Sequence, residues 1–190
     1  MNRMWTRLPD RNLKGSQKIR KITVLAIFLS VALVLGVFER MIPLEVAVPG
    51  VRLGLPNIVI LTLLYLFLPS EVIFVVILKC VLTAMLAGNF VSFALSLTGS
   101  ALSFMVMSAL IKTADASGRI SPVGVSVAGA VFHNIGQILA ACYILDTFAV
   151  VVFLPALLVS GVITGVITGM AVKHLLSRVK AIGLFEIKGL

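Results

Sequence analysis

The 190 residues are 60% A, V, I, L, M, F, W, Y or C and only 12% charged, against about 45–50% apolar and about 25% charged in an ordinary soluble domain. That composition is a membrane protein's and leaves no stretch of this chain long enough for a separate soluble catalytic domain. Sixteen Lys and Arg against seven Asp and Glu give net +9, a balance that marks topology here and not a nucleic-acid partner.

In chain order, residues 1–21 form a basic segment carrying Arg3, Arg7, Arg11, Lys14, Lys18, Arg20 and Lys21. Six apolar runs follow: Ile22 to Phe38, Leu53 to Leu68, Val72 to Ala87, Phe90 to Ile111, Pro122 to Leu145 and Thr147 to Val172. A helix needs about 20 residues to cross a hydrocarbon core of about 30 Å, so the second and third runs are short. Only Leu68-Pro69-Ser70-Glu71 separates them, which predicts a tight antiparallel hairpin broken at the proline. The runs are continuously apolar and lack the alternation of barrel strands. The expected fold is therefore all-α: an integral membrane bundle of six transmembrane helices over 22–178, ending in a tail at 179–190. Thirteen of the sixteen basic residues fall in the N-terminal segment, the loop holding Lys112 and Arg119, and the stretch after the sixth run that carries Lys173, Arg178, Lys180 and Lys188, which places both termini in the cytoplasm of a multi-pass protein. No A-x-A-like site follows the first run, so a retained helix is preferred to a cleaved signal peptide.

Few residues are out of place in lipid. Lys79 lies near the middle of the third run, where a charge costs about 2.5–3.5 kcal/mol on insertion scales. A cavity, a partner or a ligand is expected there; the alternative is a lysine reaching for an interface or for neighbouring carbonyls. The fifth run holds His133, Asn134 and Gln137 between Gly129 and Gly136, and spacings of three and four put the polar groups on adjoining parts of one helix face. They either line a small-molecule pocket or bond to other helices. The first outer loop, Glu39 to Asn57, mixes charges, prolines and glycines with apolar residues. It reads as a plug on the bundle, with Arg52 able to hold an anionic group and Asn57 and Asn89 near the outer mouth; internal charge pairing is the alternative. Gly161, Gly165 and Gly169 repeat every fourth residue, a close-packing pattern suited to the bundle interior or to another subunit.

No metal or cofactor site is expected: Cys80 and Cys142 sit in apolar runs, and His174 is the only histidine besides His133. The acids form no aspartate-rich cluster of the kind that holds magnesium diphosphate, so no enzyme activity is expected. There is no G-x-x-x-x-G-K-[ST] loop to harness ATP.

The basic N-terminus, the small pair Ala26/Ser30, the loop Val48 to Asn57, Lys79, Gly88-Asn89 and the Gly129 to Gln137 stretch together resemble the Gx transporter family. That family is also labelled heptaprenyl diphosphate synthase component I and is similar to the substrate-binding S components of energy-coupling factor (ECF) importers. The resemblance implies a bacterial plasma-membrane protein that binds a vitamin-like, quinone-related or isoprenoid precursor, and the out-of-place polar residues Arg52, Asn57, Lys79, Asn89, His133, Asn134 and Gln137 are expected to line its outward-opening pocket. Its implied partners are membrane lipid, a transmembrane coupling subunit docked on Ala26 and Ser30, and ATPase subunits, with no nucleic acid. The alternative function is a membrane component or scaffold of quinone-linked electron transfer or prenyl-quinone synthesis.

Overall fold

The computed structural model describes residues 15–41, 54–88, 90–117 and 120–182. Over these the chain is helical, with no strand among the described residues. Six helices run α1 Gly15–Met41, α2 Leu55–Leu66, α3 Pro69–Ala87, α4 Phe90–Ser117, α5 Pro122–Leu145 and α6 Leu154–Ile182, with one 3-10 turn, Ala149–Phe153, ahead of α6.

Local chemistry accounts for most of the boundaries. Gly54 enters α2 at φ 70° and Gly88 ends α3 at φ 62°, left-handed values that glycine adopts without a Cβ clash. Leu68 is extended ahead of Pro69, and its N–H donates to Glu71 Oε2 at 3.2 Å, so the carboxylate also sits at the favourable positive end of α3. Ser121 caps α5, its Oγ accepting from the Gly124 N–H at 3.3 Å, and Pro122 takes the first helical turn.

The second and sixth helices differ from the lengths that their apolar runs set. Five helices are long and apolar enough to cross a membrane. The remaining one, α2, has 12 residues, about 18 Å of helix and well short of the hydrocarbon core. Its residues Val59 to Leu66 are all buried, because the short helix is wrapped by protein: Val72, Val75 and Val76 of α3, Val172 and Leu176 of α6, and Phe28 and Ala32 of α1 belong to or pack on the same core. An apolar run reports the need to avoid water, which neighbouring helices meet as well as lipid does. The second difference is the last helix. It starts at Leu154 and not at Thr147, because Asp146 turns the chain at φ 48° and the 3-10 turn intervenes. At the other end of the chain, α1 begins at Gly15, so Lys18, Arg20 and Lys21 are part of the helix.

The glycine repeat of α6 faces the bundle. A Cβ at Gly165 would lie 2.7 Å from Val127 Cα, and one at Gly169 would lie 2.7 Å from Val123 Cα, so the stripe lets α6 press on the α5 backbone. Ser126 and Thr168 join hydroxyls across that contact at 2.8 Å.

Candidate ligand-binding site

Lys79 is the eleventh residue of α3, about 15 Å from the Pro69 end and about 12 Å from the Ala87 end. Only 6% of its surface is exposed. Its Nζ donates to Ser100 Oγ of α4 at 3.1 Å. One residue along α3, Cys80 Sγ lies 3.6 Å from both the hydroxyl and the carbonyl oxygen of Ser96. Serines 96, 100 and 103 follow helical spacing, and all three are buried; the first two meet α3, while a Cβ on Gly129 of α5 would lie 3.2 Å from Ser103 Oγ. Ser103 Oγ has no hydrogen-bond partner among the described residues.

The opposite flank of α4 meets His133 and Gln137. A Cβ on Gly99 would fall 2.9 Å from Gln137 Cγ, 2.9 Å from the His133 carbonyl oxygen and 3.0 Å from His133 Cε1. In return, one on Gly136 would fall 2.9 Å from Gly99 Cα. The two glycines thus bring α4 and α5 to backbone contact and set His133 and Gln137 beside the residue that precedes Ser100. Lys79, Ser100, His133 and Gln137 occupy one layer, roughly 12–18 Å along their helices from the end of the bundle that carries Gly88. The layer holds an ammonium bonded to a hydroxyl on one flank of α4 and, on another, an imidazole and an amide that are both half-buried.

Asn134 turns elsewhere. It is buried, and its Nδ2 donates to the Leu157 carbonyl at 2.6 Å, while a Cβ on Gly161 would lie 2.8 Å from the same atom. The structure therefore divides the polar triplet: His133 and Gln137 face α4, and Asn134 secures the first turn of α6. Asn57 is half-buried near the start of α2, and its backbone N–H donates to the Gly54 carbonyl at 2.8 Å. Because α2 is short, Asn57 and Lys79 are each ten residues from the turn joining α2 to α3, about 15 Å in both cases. Asn57 thus stands at the depth of Lys79, three residues from the Gly54 N–H that Glu39 near the end of α1 accepts. Arg52 and Asn89, and the loop residues 42–53, lie outside the described residues.

Ala26 and Ser30 are exposed on α1. The Ser30 hydroxyl donates back to the Ala26 carbonyl at 3.0 Å, which leaves a smooth, narrow face. Sequence reasoning missed the buried serines of α4, since serines are frequent in membrane helices and satisfy themselves on their own backbone; the 96, 100, 103 spacing beside Gly99 was the available signal. Among the described residues no three His, Cys, Asp or Glu side chains gather to hold a metal ion.

These features define a multi-pass α-helical membrane protein with a lysine buried in the middle of one span. Residues 28–175 match the family model for heptaprenyl diphosphate synthase component I, the Gx transporter family. The chain belongs to that family. No curated protein and no solved structure matches it.

Proposed function

We propose that the chain is the substrate-binding S component of an ECF-type importer in the bacterial plasma membrane. It would capture a vitamin-like, quinone-related or isoprenoid precursor from outside and rely on a coupling subunit and ATPases for energy. The observation that carries this reading is Lys79: a charged side chain held in the middle of a membrane helix, in one layer with Ser100, His133 and Gln137. A lipid-surrounded bundle has little use for such a costly group unless something polar is recognised there. Membership of a family labelled as transporters supports the same reading. The synthase label does not carry catalysis to this chain, because its acids form no cluster suited to a magnesium diphosphate.

Six crossings with both termini in the cytoplasm belong to the same proposal. Glu39, near the end of α1, meets the start of α2, and Lys21, near the start of α1, meets the start of α3. The stretch from Gly54 to Glu71, with α2 inside it, therefore runs back along α1 between those two contacts. The excess of Lys and Arg at 1–21, at Lys112 and Arg119, and in the tail supports a cytoplasmic assignment for that end.

Mass spectrometry of small molecules extracted from protein purified in mild detergent tests the proposal. A single organic compound in near-stoichiometric amount is the expected result. Protein that never carries one, from cells grown in rich medium or starved of vitamins, would reject the assignment.

A further inference from the structure

Helix α1 is the least embedded of the long helices: among its residues whose burial is described, Lys21 and Ala32 alone are buried. Its two ends are nevertheless held by polar contacts. Lys21, 3% exposed, pairs through Nζ with Glu71 Oε1, the carboxylate whose other oxygen accepts from the Leu68 N–H at the start of α3. Glu39 Oε1 accepts the Gly54 N–H at the start of α2 at 2.5 Å. Lys21 and Glu39 are 18 residues apart, about five turns and about 27 Å, so they share one rotational position at opposite ends of the helix. Leu25, Phe28, Ala32 and Leu35 lie on the stripe between them and pack on the core. Thr23, Ala26, Ser30 and Val34 fall on the opposite side and are exposed.

We infer that Lys21 and Glu39 are paired positioning residues that fix the rotation of α1, so that its Ala26/Ser30 face points away from the bundle. The need for such clamps follows from the medium. Lipid tails are as apolar as the helix, so burial in lipid does not choose which side of an apolar helix faces the bundle. A polar contact at each end chooses it, since turning α1 would strip a buried ammonium of its carboxylate and the Gly54 N–H of its acceptor. Fixing the rotation also matters for a partner: a small-residue face admits another helix only when it is presented outward. This last consequence rests on the docking role proposed above; the clamp itself does not.

The test places a nitroxide at Ser30→Cys or at Leu25→Cys in a Cys80→Ala/Cys142→Ala background, in lipid nanodiscs, and reads collision with dissolved oxygen. The native clamps are expected to give high oxygen contact at position 30 and low contact at 25. Two clamp variants follow. Lys21→Met/Glu71→Gln removes both charges of one clamp while the amide oxygen introduced at position 71 still accepts the Leu68 N–H, so no lone charge is left to unfold the protein; Glu39→Leu removes the other clamp. Each variant is expected to lose contrast between the two positions, and combining them should bring it close to unity. Contrast unchanged in the combined variant would overturn the inference, as would equal oxygen contact at the two positions with the clamps intact. Co-purification with a coupling subunit is scored in parallel. A native chain with full contrast and no captured partner would sink the docking role and leave the clamp standing, whereas loss of contrast with capture undiminished would sever the clamp from docking.

Discussion

Replacing Lys79 by Met separates a binding lysine from a structural one. The substitution keeps an unbranched side chain, one heavy atom shorter, and removes the ammonium. On the folding side, the hydrogen bond to Ser100 Oγ at 3.1 Å is lost, a bond to a charged group worth about 1.5–3 kcal/mol. Against this stands release of the cost of holding a charge in the membrane, about 2.5–3.5 kcal/mol. Ser100 can turn its hydroxyl to the carbonyl four residues back, as Thr98 and Ser30 already do. The balance is near zero or slightly stabilising, so Lys79→Met should unfold in detergent within a few degrees of the native protein. On the binding side nothing offsets the loss, and about 1.5–3 kcal/mol corresponds to about 10- to 150-fold weaker retention of the bound compound. Thermal unfolding and mass-spectrometric quantitation on the same preparations give both numbers. A protein that melts far below native while retaining its compound normally would refute the reasoning and make Lys79 a structural residue.

Gly136→Ala would drive a methyl to 2.9 Å from the Gly99 backbone; a cost of about 1–3 kcal/mol is expected, read as a lower unfolding midpoint together with loss of the bound compound. Ala26→Leu and Ser30→Leu place bulk on the exposed face of α1 and should reduce co-purification of a coupling subunit while leaving compound retention intact; capture undiminished in both would move the interface elsewhere. For topology, a cysteine at Ala47 should react with an impermeant maleimide on intact cells, and one at Ser117 only after permeabilisation. The reverse pattern would invert the orientation.

Helix α5 was legible to the residue, Pro122 to Leu145, because Ser121-Pro122 is a start signal that does not depend on the rest of the molecule. Helix α2 was legible as a helix and not as a buried one, since hydrophobicity reports avoidance of water and is silent on whether lipid or protein replaces it. Lys79 announces itself by its charge. Its partner Ser100 does not, and neither does the turning of Asn134 toward Leu157, because helix rotation is decided by contacts such as Gly99 with Gly136 that unite residues distant in sequence. Lys21 counts among the basic residues of the cytoplasmic segment, yet it is buried against Glu71. Charge counting orients a chain without saying which of the charges are structural.

In the proposed role, this chain delivers a bound small molecule to an ATP-driven module. The most direct measurement isolates the tagged chain from native membranes, identifies the proteins that accompany it, and follows uptake of its co-purified compound into vesicles carrying that assembly. A transmembrane coupling subunit with ATPases is expected in the complex, with uptake that requires ATP and fails with Lys79→Met. Recovery with prenyl-transferring or quinone-reducing enzymes and no ATPase, with ATP leaving the compound outside the vesicles, would contradict it.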